Sequence, residues 1–152
     1  MTIIGSESQK ANPALQPLAR LIGEWKTTGT HPMVPGKTFH GRTSFAWIEG
    51  GAFMVVRSEI DEPEIPSATA IFGSDDAEGT LTLTYFDERG VSRKYAVTAE
   101  GDEIAWHRDD PKFKQRMTLT IDPDGRKMVA KGRMSRDGKP WEDDLELAYE
   151  RK

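Results

Sequence analysis

Side chains that could bind the polar part of a small molecule recur at alternate positions of short segments bounded by turns. Arginine, tyrosine and glutamine supply hydrogen bonds in such a site, and an aspartate in an apolar cup could take the raised pKa that acid-base catalysis needs. We predict that one group of these residues lines the open end of a barrel. Its members are Arg57, Tyr85, Arg93, Tyr95, Trp106, Gln115, Met134 and Asp143. Arg57 belongs to this group only if its strand turns its odd-numbered positions inward.

The histidines are the residues that could form a metal site. There are three, His31, His40 and His107, and all fall near the predicted open end. Alternation turns His40 and His107 away from the interior, and His31 adjoins a proline turn, so the three side chains do not converge as zinc ligands must. We predict no metal site and no cofactor.

Motifs for nucleophilic catalysis and for phosphate binding do not occur in this chain. There is no Gly-x-Ser-x-Gly elbow, and Gly50-Gly51 is typical of a hairpin turn because no helix N-terminus follows it to hold an anion. The sequence therefore predicts no catalytic residue and leaves enzymatic activity open. An isomerase or lyase that uses Asp143 with Tyr85 or Tyr95 is one alternative to a binding protein.

The composition bounds the class of protein. The chain has 152 residues, 36% of them hydrophobic and 30% charged, with a formal net charge of -4 and no cysteine. The hydrophobic and charged fractions are typical of a globular protein. The absence of cysteine excludes disulfides, and the negative net charge gives no basic surface for binding nucleic acid. No apolar run approaches the roughly 20 residues of a membrane helix. We predict a flexible N-terminus over residues 1–12, one domain over residues 13–152, a cytoplasmic location, and no nucleic-acid or membrane partner.

Regular turn signals predict the elements that must position these side chains. Nine clusters rich in Gly, Pro and Asp divide the chain into ten segments, most of them of strand length and too short for a good helix. Alternation is clearest over residues 113–121, where Phe113, Gln115 and Met117 share one face. Over residues 141–149 the odd positions, Asp143 among them, are predicted to face inward. Residues 52–60 are ambiguous, because both faces are partly apolar.

Ten sequential strands with short connections predict an all-β fold, a ten-stranded up-and-down antiparallel barrel with a short N-terminal helix over residues 13–22. Closure removes the free strand edges that invite aggregation. A two-layer sandwich is the alternative, but it usually needs longer crossover connections than this chain offers. Because strand direction alternates, the position of a residue along its strand gives its depth in the barrel. By this criterion the eight residues predicted to bind the ligand lie at the open end.

The order of these features resembles that of a known superfamily. A helix is followed by Gly23-Glu24-Trp25 on the first strand, and the last strand ends in Leu147-Ala148-Tyr149-Glu150-Arg151. This arrangement resembles the calycins, which include lipocalins, fatty-acid-binding proteins and nitrobindin-like proteins. Through residues 21–25 and 45–51 the chain is most similar to bacterial lipocalin-like families of unknown function. The resemblance spans residues 15–151.

The resemblance implies roles for two residues and raises the question of haem. It implies that Trp25 plugs the closed end of the barrel and that Arg151 packs across the indole, a structural contact that cation-π attraction would favour. Nitrobindin-like proteins bind haem through a histidine near the C-terminal strands. Here no histidine lies beyond His107, which argues against haem.

We expect the barrel to hold a small hydrophobic or amphipathic molecule, because barrels of this size accommodate one ligand in an apolar cup with a few polar groups. Inward-facing Arg93, joined by Arg57 if that strand allows, would favour an anionic ligand. A second alternative is a protein-interaction module whose barrel is filled by its own side chains. The oligomeric state is left open, with a homodimer as one option.

Overall fold

Over residues 12–152, the part of the chain that this computed structural model describes, ten strands form a closed antiparallel barrel. Each strand pairs with the next along the chain, and the last pairs with the first. The strands are β1 (Gly23–Thr30), β2 (Phe39–Ile48), β3 (Phe53–Ile60), β4 (Ala68–Ser74), β5 (Leu81–Asp87), β6 (Ser92–Glu100), β7 (Glu103–Asp110), β8 (Phe113–Ile121), β9 (Lys127–Arg136) and β10 (Glu142–Arg151). A 3₁₀ helix, Pro13–Leu21, precedes β1, and a 3₁₀ turn, Glu49–Gly51, joins β2 to β3.

The predicted fold class is confirmed, because the strands number ten and follow one another around the barrel in chain order. The predicted N-terminal helix is present as a 3₁₀ helix that ends at Leu21. Asn12, the last residue of the predicted flexible N-terminus, caps this helix: its side-chain oxygen accepts from the Ala14 amide at 3.0 Å. Residues 1–11 lie outside the described residues.

The 3₁₀ helix packs one apolar face against the core at the end of the barrel where Trp25 lies. Leu15, Leu18 and Leu21 are spaced three residues apart, which places them on one face of a 3₁₀ helix, and all three are fully buried. Among the described residues, no helix has the length and apolar character needed to cross a membrane.

Tight turns explain why the barrel is a simple meander. In the turn between β8 and β9, Gly125 has a φ of 72° and its amide donates to the Asp122 carbonyl at 2.8 Å. Glycine takes this left-handed conformation without the penalty that a Cβ atom adds. A turn this short leaves consecutive strands side by side and antiparallel.

Trp25 and Arg151 close the base of the barrel. The indole is fully buried, and Cζ of Arg151 lies 4.1 Å from its ring centroid. The same guanidinium donates to three backbone carbonyls, those of Arg20, Ile22 and Gly125. The contact that the resemblance implies is therefore present, and it joins the 3₁₀ helix to the last strand.

A buried hydrogen bond between two threonines links β1 to β2. The hydroxyls of Thr27 and Thr43 lie 2.8 Å apart, and these residues are 0% and 2% exposed. We expect Thr27→Val to lower the free energy of unfolding by about 1–3 kcal/mol, because it leaves the Thr43 hydroxyl buried without its partner. The double substitution Thr27→Val, Thr43→Val should cost less than the sum of the two single substitutions. Urea unfolding followed by far-ultraviolet circular dichroism measures this, and costs that simply add would contradict it.

Candidate functional site

The barrel encloses a cavity of about 360 Å³ that opens at the end opposite Trp25. Its rim includes residues of the loops that follow β1 and β3, among them His31, Val34 and Ile65. These loops leave the ends of strands that lie far from the base, so the sequence-based assignment of the open end agrees with the structure. The cavity continues down to the rings of Phe72 and Tyr149.

The wall formed by β2, β3 and β4 is mostly apolar, with Thr43 and Ser58 as its polar members. Phe39, Val56, Ile60, Ala68 and Ala70 present carbon surface to the cavity. Alternation along each strand produces this wall, because every second side chain points into the barrel.

A chain of hydrogen bonds crosses the opposite wall. The Tyr95 hydroxyl donates to Oε1 of Gln115 at 2.6 Å, and Nε2 of Gln115 donates to Oδ2 of Asp144 at 3.4 Å. Nε2 of His31 lies 2.9 Å from Oδ1 of Asp144. The chain joins β6, β8 and β10 to the loop after β1, so it orients the polar groups that face the cavity.

The bonds of His31 fix its tautomer. The Met33 amide donates to Nδ1 at 3.0 Å, so this nitrogen carries the lone pair and the proton of the neutral ring is on Nε2. That proton is donated to Asp144. Neither ring nitrogen is left to act as a base toward a bound molecule or to ligate a metal.

Tyr85, Asp87 and Arg89 form a second polar group at the rim. The Tyr85 hydroxyl donates to Oδ2 of Asp87 at 2.7 Å, and NH2 of Arg89 donates to the same oxygen at 2.6 Å. Hydrogen bonding from Arg89, followed by that from Tyr85, holds the pKa of Asp87 well below its usual range. Burial first, and the bond to Asp87 second, raises the pKa of Tyr85. Asp87 and Arg89 therefore form an ion pair, and the neutral Tyr85 hydroxyl is hydrogen-bonded to it. Because the pKa of Asp87 is lowered and that of Tyr85 is raised, the two groups are not suited to exchange a proton.

Two arginines lie over one phenylalanine ring at the mouth. Cζ of Arg93 is 4.9 Å and Cζ of Arg136 is 5.2 Å from the Phe113 ring centroid, and all three residues line the cavity. Stacking on an aromatic face holds a guanidinium in position and leaves its N–H groups at the edge available to an acceptor.

Most of the predicted site residues are brought together, and two are not. The cavity is lined by the predicted Tyr85, Arg93, Tyr95, Trp106, Gln115 and Met134. Arg57 and Asp143 do not line it. The Asp143 side chain is 88% exposed, and NH1 of Arg57 donates to the Thr69 hydroxyl at 3.1 Å on the outside of the barrel.

The hairpin register explains why Arg57 faces outward. Phe45 on β2 pairs with Val56 on β3, and Ser44 pairs with Arg57. Because directly paired residues point to the same face, the inward odd positions of β2 select the even positions of β3. The condition under which Arg57 would join the site is therefore not met.

A β-bulge explains why the inward orientation predicted for Asp143 is wrong. Asp143 pairs with Arg133 and Glu146 pairs with Lys131, so β10 contains one more residue than β9 between these two pairs. The extra residue shifts the alternation, and Asp144 takes the inward position. A Cβ atom on Gly132, which lies opposite the bulge, would come 2.9 Å from the Leu145 carbonyl oxygen, so the bulged strand needs glycine there.

The residues of the polar wall and the rim that were not predicted are His31, Asp87, Arg89, Phe113, Arg136 and Asp144. Gly132 was the available signal for Asp144, because a glycine inside a strand often marks a bulge. Phe113 and Arg136 sit at the first and last positions of their strands, where alternation also predicts inward-facing side chains. His31 lies in a loop, and no strand pattern reaches it.

The histidines of this chain do not fit haem or another metal in the cavity. A metal-ligating histidine needs a free ring nitrogen, and both nitrogens of His31 are engaged. His40 and His107 do not line the cavity. Over residues 12–152, no group of three or more acidic or histidine side chains is arranged to hold a metal ion.

Fold and cavity together define the class: a closed ten-stranded antiparallel barrel with an interior that is apolar on one side and polar on the other. The chain is similar to the crystal structure of Rv2717c from M. tuberculosis, with a TM-score of 0.67 and 18% sequence identity over 94% of this chain and 99% of that one. In all, 18 solved chains match. No family model and no curated protein matches the sequence. At this level of identity the similarity shows the fold.

Proposed function

We propose that this protein binds a small hydrophobic or amphipathic molecule inside the barrel. The observation that carries the proposal is the cavity of about 360 Å³, a volume within the usual range of small-molecule sites. Its walls combine carbon surface with a few fixed hydrogen-bonding groups, which is the usual composition of such sites. We also propose that the chain is a calycin-like barrel, which the strand order and the contact of Arg151 with Trp25 support.

The cavity favours a ligand over the two alternatives. A protein-interaction module filled by its own side chains would leave no space of this size inside. An isomerase or lyase would need an acid or base facing the ligand, but Asp143 lies outside the cavity. Of the two carboxylates that line the cavity, Asp144 is hydrogen-bonded to His31 and Gln115, and Glu64 is exposed on the loop after β3.

Filling the cavity tests the proposal. We expect wild-type protein to bind the neutral fluorescent probe N-phenyl-1-naphthylamine saturably, and Ala70→Phe to weaken that binding by about tenfold or more, because a phenyl ring then occupies the cavity. Fluorescence titration gives both affinities.

Ala96→Phe is the matched control. Ala96 lies on β6 with its side chain exposed, so the same substitution there leaves the cavity unchanged. Wild-type protein that binds neither this probe nor its anionic sulfonate analogue, or an Ala70→Phe variant that binds as wild type does, would overturn the proposal.

A further inference from the structure

Arg93 and Arg136 differ from Arg89 and Arg108, two other arginines near the open end of the barrel, in having no acidic partner. Among the described residues, neither guanidinium has a carboxylate oxygen within 4.0 Å. By contrast, Arg89 pairs with Asp87 at 2.6 Å and Arg108 with Asp110 at 3.5 Å. The chain carries more acidic than basic residues, so the two unpaired arginines do not result from a shortage of carboxylates.

The donors of these two guanidinium groups are largely unused. Arg93 donates one long hydrogen bond, 3.4 Å, to Oε1 of Gln115. Among the described residues, the only hydrogen-bond acceptor of the Arg136 guanidinium is the Met134 sulfur, at 4.0 Å. A guanidinium has five N–H donors in a planar fork that matches an oxyanion. Nε of Arg108 is a third donor on a neighbouring strand. It is buried with no acceptor among the described residues, and the Cα of Arg108 is the register partner of Gln115, although Arg108 does not itself line the cavity.

The two carboxylates that line the cavity do not supply the missing partner. Both oxygens of Asp144 are already engaged, one by His31 and the other by Gln115. Glu64 is exposed on the loop after β3, where its charge acts on Lys37. The arginine pair therefore lies at the mouth of the cavity with its charge unneutralised. Arg93 is half-buried and Arg136 is exposed, so the cost of an unpaired charge falls on Arg93 unless a counter-charge joins it.

We propose that the ligand is a compact amphipathic anion, whose carboxylate, sulfonate or phosphate group is held at the mouth by Arg93 and Arg136. This inference rests on the proposed function and names the chemical class of its ligand. The polar group would lie against β6, β8 and β9, and the apolar part would lie against the carbon wall of β2, β3 and β4. Phe113 keeps both guanidinium groups at the rim, within reach of the anion.

A pair of probes that differ by one sulfonate tests the inference. We expect wild-type protein to bind 1-anilinonaphthalene-8-sulfonate more tightly than N-phenyl-1-naphthylamine, and added salt to reduce the difference. The variant Arg93→Gln, Arg136→Gln should lose about tenfold in affinity for the sulfonate probe and change by about twofold or less for the neutral probe. Fluorescence titrations at low and high salt measure both.

Arg116→Gln is the matched control, because Arg116 also stacks on an aromatic ring, that of Trp141 at 5.2 Å, but does not line the cavity. It should leave both affinities unchanged. Circular dichroism checks the fold of each variant, and the single substitution Arg136→Gln, at an exposed residue, takes the place of the double variant if that one does not fold.

The outcomes separate the two proposals. Equal affinities for the two probes, or arginine variants that keep the preference for the sulfonate, would overturn the anion proposal and leave the cavity as a site for neutral ligands. Failure of wild-type protein to bind either probe would overturn both proposals.

Discussion

Trp25→Ala is expected to lower the free energy of unfolding by about 3–5 kcal/mol, the usual cost of truncating a fully buried tryptophan. The indole is 0% exposed, and its Nε1–H donates to the Leu21 carbonyl at 2.8 Å. Truncation would leave a cavity at the base of the barrel and a buried carbonyl without its donor. It would also remove the ring on which the Arg151 guanidinium stacks. A domain of this size is stable by only about 5–15 kcal/mol, so the loss is a large share of the total.

Trp141→Ala provides the comparison. Trp141 is 36% exposed, precedes β10 and stacks with Arg116. Its truncation should cost about 1 kcal/mol or less, since it creates no interior cavity. Urea unfolding followed by far-ultraviolet circular dichroism gives both values. Equal costs for the two tryptophans would show that Trp25 does not close the base in the way described.

The strand order could be predicted from sequence because its causes are local. Each turn is encoded by its own Gly, Pro or Asp residues, and a two-residue alternation needs only a few neighbours to be visible. Over β8 the alternation of Phe113, Gln115 and Met117 continues without interruption, and Gln115 lines the cavity as predicted. Once Trp25 marks the base, the alternating direction of the strands places the polar positions at the mouth.

The orientation of β3 needed information from another strand. Both of its faces are partly apolar, so alternation within the segment does not distinguish them. The outward face is identified by ion pairing across strands: Arg42 on β2 binds Glu59 on β3 at 2.6 Å, outside the barrel. Arg57 faces outward because of the pairing register between β2 and β3, which depends on the length and shape of the turn that connects them.

The bulge in β10 was hidden by a pattern that looked continuous. The odd positions from 141 to 149 carry Trp, Asp, Leu, Leu and Tyr, a sequence consistent with one unbroken strand. One extra residue reverses the orientation of everything before it, so Asp143 faces solvent and Asp144 faces the cavity. The hydrogen bond between Asp144 and His31 joins residues 113 positions apart in the chain. It forms only when the barrel closes, so no local sequence pattern predicts it.

Alkaline pH is expected to unfold this protein cooperatively, because all three of its tyrosines are held neutral by the fold. Burial is the largest cause that raises the pKa of Tyr85, Tyr95 and Tyr149 above the ordinary value of 10.0. The stability that these neutral phenols contribute is full below pH 10.0 and is lost as the pH rises from there toward the folded-state pKa values, since only the unfolded chain releases their protons. A fully buried phenol lowers the free energy of unfolding by about 1.4 kcal/mol per pH unit in that range, and a partly exposed phenol lowers it by less.

Tyr95 and Tyr149, each only 9% exposed, should dominate this effect, whereas the more exposed Tyr85 contributes less. Tyrosinate absorbance and far-ultraviolet circular dichroism should therefore change together in one transition above pH 10, with little tyrosinate formed while the barrel persists. Tyr149→Phe should move that transition to higher pH, because it removes one ionisable group whose pKa is raised by burial alone. Full tyrosinate formation near pH 10 with the circular dichroism of the folded barrel would mean that water reaches all three phenols. The cavity would then be far wetter at its floor than the burial of Tyr149 implies.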